Sequence, residues 1–179
     1  MFKKTKKITF LFYFFCFNIF LSISQSNEVV PLNNIALNEN PIPISSAIFE
    51  DFSGKEVDLN DFHGKLVIIN FWATWCAPCK EEMPSLDNLY QNNKFKNLEI
   101  FAVNMEQPNT LKTKKFFADL EIKKLAIFFD SKLNFVQLFK LRGVPTTILI
   151  NKKGEEFARI IGSIDFQDKN FVNWLLKYD

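Results

Sequence analysis

Trp75-Cys76-Ala77-Pro78-Cys79-Lys80 constrains this chain more than any other stretch. An apolar run over residues 66–71 reads as a strand, and Cys76 then falls where a helix of about four turns should begin. A strand that feeds a helix through a turn carrying two thiols is the opening of a βαβ unit. The first thiol of such a turn sits on free backbone N–H groups at the positive end of a helix dipole, which favours thiolate over thiol. Cys76 is therefore the expected nucleophile. Cys79 falls one turn further in, close enough to close a disulfide and deep enough to be shielded. Pro78 suits the first helical turn, where its missing N–H costs nothing.

With 179 residues, 47% of them hydrophobic and 23% charged, the chain can build one globular domain with a substantial core. The formal charge of +2 comes from Lys3, Lys4, Lys6 and Lys7, and without residues 1–24 the balance is about −2. No basic stripe follows, so a nucleic-acid partner is not expected. The 22 Phe accompany many Lys, Asn and Ile, and read as a bias of the whole chain rather than an aromatic binding surface. The four lysines precede an apolar run over residues 8–23, with Ser22-Ile23-Ser24 as a small-residue cleavage site. Residues 1–24 thus read as a signal peptide or as a retained membrane anchor, and the run's length leaves both open. Either way the lysines stay cytoplasmic and the domain is delivered outside, to the periplasm. Cys16, behind Phe14 and Phe15, lacks the small neighbours of a lipid-attachment site and reads as a passenger in the run.

Beyond that segment the only cysteines are Cys76 and Cys79. A purely structural disulfide is one reading, yet so small a loop constrains little of the unfolded chain. A zinc site needs two further ligands, and the chain has a single histidine, His63, and no second CxxC. No metal and no bound cofactor are expected.

Residues 25–45 are rich in Asn, Ser and Pro without sustained periodicity, and read as a flexible linker ahead of a domain over residues 46–179. Residues 47–52 and 56–59 flank Ser53-Gly54-Lys55 as a hairpin. After the helix at the motif come a strand at 98–104, a helix at 110–120, a strand at 126–130 and a short helix at 133–140. This alternation argues for parallel neighbours joined by crossovers. Residues 146–150 and 156–161 bracket Asn151-Lys152-Lys153-Gly154 as an antiparallel hairpin. Asp165 is the candidate N-cap of a last helix that packs Phe171, Trp174, Leu175 and Tyr178 at helical spacing. No internal repeat is visible.

The run from Asn70 to Pro84, Asn-Phe-Trp-Ala-Thr-Trp-Cys-Ala-Pro-Cys-Lys-Glu-Glu-Met-Pro, is followed much later by Gly143-Val144-Pro145-Thr146-Thr147. Together these resemble the TlpA/ResA group of membrane-associated thioredoxin-like proteins, over about residues 46–179. The resemblance implies an α/β, thioredoxin-like fold: a central mixed sheet flanked by helices, with an N-terminal β-hairpin extension. It also implies an inserted helix-strand unit, here at about residues 105–130, which plain thioredoxins lack.

It further implies that Pro145 follows a cis peptide bond beside the two cysteines, X-Pro being the linkage for which cis is cheap. Val144 then offers its backbone N–H and C=O to an extended substrate, as in strand addition. Read locally, Pro145 is equally a turn proline ahead of a strand. Where thioredoxins carry a buried Asp before the Phe-Trp pair this chain has Asn70, which exchanges no proton. Glu82 matches a Glu that the group keeps near the disulfide, positioned to accept the proton of Cys79; the alternative is an exposed helix charge like Lys80 and Glu81. Pro84 should bend the helix. Trp72 reads as core, while Trp75, Ala77 and Pro78 are expected to line the substrate groove with Val144 and Pro145.

The expected chemistry is thiol-disulfide exchange, with Cys76 attacking and Cys79 resolving. The resemblance implies a membrane thiol reductase as electron donor and, as substrate, apocytochrome c or a copper-delivery protein of cytochrome oxidase. Two rival readings stay open: an oxidant or isomerase of secreted proteins, and a non-redox carrier or chaperone. A reduction potential near about −270 mV favours a reductant and one near about −120 mV an oxidant. A peroxiredoxin would need its peroxidatic Cys in a different setting.

Overall fold

The computed structural model describes residues 32–44 and 47–179. The segment read as signal or anchor, Cys16, and the start of the linker lie outside the described residues. Eight strands form one sheet: β1 (Ile35–Pro43), β2 (Ile48–Asp51), β3 (Glu56–Asp58), β4 (Leu66–Trp72), β5 (Leu98–Asn104), β6 (Ile127–Phe129), β7 (Thr146–Ile150) and β8 (Glu155–Ile161). Their spatial order is β1-β8-β7-β4-β5-β6-β2-β3. β4, β5 and β6 are parallel, whereas β7, β8 and β1 on one side and β2 and β3 on the other run antiparallel to their neighbours. The helices are α1 (Ala77–Tyr90), α2 (Thr110–Asp119), α3 (Asn134–Leu138) and α4 (Lys169–Leu175).

Every residue of β4 is buried, as befits a strand covered on both faces. Alternate side chains separate two cores. Leu66, Ile68 and Trp72 pack with Met83, Leu86 and Leu89 of α1, Phe116 and Phe117 of α2, and Phe171, Trp174 and Leu175 of α4. Val67, Ile69 and Phe71 face the opposite way, toward Phe49, Phe101, Phe135 and Phe139. Burying each such side chain contributes roughly 1.5–3 kcal/mol. The many phenylalanines are used here: Phe49 meets Phe101, Phe128 and Phe135 at ring-centroid distances of 4.9, 5.3 and 5.3 Å.

Two expectations change. Residues 35–43, read as part of a linker, form β1, which pairs with β8 from Ile35↔Ile160 to Pro43↔Glu155 with a register shift between Leu37 and Ile42. Most of β1 is exposed at the sheet edge, so it shows no inside-outside alternation. Its prolines are tolerated because an edge strand leaves N–H positions unused. The last helix is capped by Asp168, whose carboxylate accepts from the Asn170 and Phe171 N–H groups at 2.8 and 2.9 Å. Asp165 instead accepts from the Gln167 N–H, in the turn before it.

β7 runs antiparallel to β4, with Thr146 opposite Phe71. The 143–145 loop, which precedes β7, therefore lies at the same end of the sheet as the CxxC turn, which follows β4.

Candidate active site

Cys76 is the N-cap residue of α1, with an extended backbone at φ −80° and ψ 108°. Its Sγ accepts from the Cys79 N–H at 3.2 Å, so one otherwise unpaired donor of the helix end points at the sulfur. Ala77 and Pro78 occupy the first turn, and α1 continues past Pro84. The two cysteines are joined, with S–S 2.07 Å and Cα–Cα 5.3 Å. Cys79 has no exposed surface and Cys76 retains 3%. Trp75, 69% exposed, stands beside this small window, and Ala77 and Pro78 are exposed as well.

Glu82 lies one turn beyond Cys79, on the same helix face. Lys80 and Glu81 are exposed, whereas Glu82 is buried. Asn70 of β4 donates through Nδ2 to Glu82 Oε1 at 2.8 Å and to Thr147 Oγ1 at 3.0 Å, and the Ile164 N–H donates to Glu82 Oε2 at 3.3 Å. Burial pushes the Glu82 carboxyl up to about 7, against the opposing pull of the hydrogen bonds from Asn70 and Ile164. A carboxyl that titrates near neutrality in a water-poor layer can take and return a proton. Asn70 Oδ1 is buried and has no hydrogen-bond partner among the described residues, leaving an acceptor open in the same layer.

The Val144–Pro145 peptide is cis. Pro145 is buried and Val144 half-buried, packed against both cores. The Pro145 carbonyl accepts from the Gly162 N–H at 3.0 Å. The main chain of Val144 makes no hydrogen bond among the described residues. It is therefore free to pair with an added strand.

One feature had no signal in the sequence. Glu106, just after β5, accepts from the Thr74 N–H at 2.6 Å and from the Thr74 hydroxyl at 3.1 Å, and Lys112 Nζ reaches its Oε1 at 2.6 Å. Burial acts to raise this carboxyl, but the hydrogen bonds from Lys112 and Thr74 outweigh it and hold the group below its ordinary value. Thr74 is two residues ahead of Cys76, so the segment expected as an insertion braces the redox turn. Among the described residues no cluster of His, Cys, Asp and Glu could hold a metal ion, and no helix is long and apolar enough to cross a membrane.

Residues 40–155 match the AhpC/TSA family. The chain belongs to that family. Among curated proteins it is similar to the thiol-disulfide oxidoreductase ResA of Halalkalibacterium halodurans, 40% identical over 60% of this chain and 60% of the relative. The ResA of Bacillus cereus is 34% identical over 64% of this chain and 65% of the relative. The match thus spans somewhat under two thirds of these relatives' lengths. Among solved structures, a putative thiol:disulfide interchange protein DsbE from Chlorobium tepidum superimposes with a TM-score of 0.68 at 25% identity, covering 80% of this chain and 99% of that one. The thioredoxin-like fold expected from the motifs is the fold of these neighbours.

Proposed function

We propose that this AhpC/TSA-family protein is a thiol-disulfide oxidoreductase that works outside the cytoplasm and reduces disulfides in a partner protein. The observation that carries the reading is the Cys76–Cys79 disulfide at the start of α1, with Cys79 fully sealed and Cys76 buried but for a 3% window beside the exposed Trp75. The ResA names of the similar curated proteins agree with it. In the reduced protein, Cys76 thiolate attacks one sulfur of the substrate disulfide and expels the other as a thiolate. Cys79 then gives its proton to Glu82 and attacks Cys76, releasing the second substrate thiolate. Two electrons pass to the substrate, whose thiolates take up protons, and the Cys76–Cys79 disulfide is re-formed. Trp75, Ala77, Pro78, Val144 and Pro145 line the approach, and Val144 pairs with the substrate main chain.

Delivery outside the cytoplasm rests on residues 1–24, as a signal peptide or anchor, and makes a membrane thiol reductase the source of electrons. Apocytochrome c, or a copper-delivery protein for cytochrome oxidase, is the substrate this setting favours. The test is a pair of variants. Cys79→Ser should accumulate mixed disulfides with its partners in cells, seen as bands that vanish on reduction, and Cys76→Ser should abolish exchange. Reduction of insulin that survives Cys76→Ser would overturn the nucleophile and the reading with it.

A further inference from the structure

We infer that the substrate of this site is an extended segment with acidic side chains flanking its cysteine, held by Lys140 and Arg142. The inference rests on the redox reading above. Beside Val144 and Pro145 lies a groove of about 520 Å3, to which Lys140, Arg142, Arg159 and Ile161 also contribute. Three independent features converge there. The Val144 main chain is unpaired, so an extended segment can add to it. Ile161 is 65% exposed and offers an apolar contact to a side chain of such a segment. The rim is cationic.

The cations are not equivalent. Arg159 is held by the buried Glu156 at 2.7 Å and by the Phe139 carbonyl at 3.1 Å, which neutralises and fixes it. Lys140 and Arg142 are exposed and have no carboxylate partner among the described residues. Their charge is thus available to a ligand. The acidic groups Glu81 and Asp165 line an adjoining cleft with Glu82 and Ser163 and form no ion pair with Lys140 or Arg142. A strand bound along Val144 projects successive side chains alternately to either side at about 3.3 Å per residue, which brings those next to its cysteine over the rim. Complementary charge there raises the encounter rate in a salt-dependent manner and disfavours basic partners.

The experiment uses the full-length reduced protein and three disulfide-linked peptides that differ only in whether Glu, Ser or Lys flanks the cysteine. Stopped-flow fluorescence follows exchange. At about 20 mM salt the Glu peptide should react at least about tenfold faster than the Lys peptide, and the ratio should fall toward one at about 0.5 M salt as the charges are screened. In Lys140→Glu/Arg142→Glu the ratio should invert, and in Lys140→Gln/Arg142→Gln it should approach one. A ratio within twofold in the wild type, or one that neither pair of substitutions moves, overturns the acidic-segment inference while the Ser peptide still reports exchange. Failure with all three peptides is a different outcome: it removes the redox reading, and this inference with it.

Discussion

Replacing Glu82 by Gln isolates the cost of the buried carboxylate. In an unfolded chain this group titrates near its ordinary 4.5, and in the fold it titrates at about 7, because burial disfavours its charge. The native state therefore binds the proton more tightly than the unfolded state. Stability from this group is fully present below pH about 4.5, declines between 4.5 and 7, and is lost above 7. At 1.36 kcal/mol for each unit, the shift corresponds to about 3 kcal/mol. The Gln variant cannot ionise and should lack that slope, although it forfeits about 1 kcal/mol at all pH values because its amide cannot satisfy both Asn70 and the Ile164 N–H. The assay is urea unfolding of both proteins in the disulfide form, so that no thiol titrates, at steps from pH 4.5 to 8.5. Relative to Glu82→Gln, the wild type should lose about 3 kcal/mol across that range. Parallel stability curves would show that the carboxyl is solvated, and would deprive Cys79 of a nearby proton acceptor tuned to neutrality.

Two further outcomes follow from the hydrogen bonds. Glu106→Ala removes both bonds to Thr74 and the Lys112 pair, and should lower stability by about 1–3 kcal/mol and slow disulfide exchange, read by urea unfolding and insulin reduction. A variant with unaltered exchange would show that the redox turn keeps its shape without this brace. Asp87→Ala strips the carboxylate that accepts from the Lys123, Lys124 and Leu125 N–H groups at 3.2, 2.8 and 2.8 Å, and should lower stability by about 3 kcal/mol with hydrogen exchange accelerated at those amides.

Local pattern carried most of the elements. The alternation of β4, α1, β5 and α2 was legible because strand and helix periods and a cap residue act within a few residues of one another. The CxxC turn was legible for the same reason: its chemistry follows from its place at a helix start. β1 was not legible, because an edge strand with little burial carries no periodic signature and is defined by the β8 edge it meets. Asp165 and Asp168 are both acids ahead of the same apolar face, and only the path of the chain chose between them.

Sequence by itself thus determined where the sulfurs sit along the chain, the alternation of strands and helices from β4 onward, and that the domain has a covered central strand. Tertiary structure alone decided the surroundings of those sulfurs. Glu82 is buried beneath Ile164, 82 positions away; Asn70 meets Thr147 across 77 positions; Thr74 leans on Glu106 across 32. The reason is one of range. Propensity and capping act over one or two helical turns, whereas desolvation and charge pairing depend on whatever the sheet order brings alongside, which no local window records.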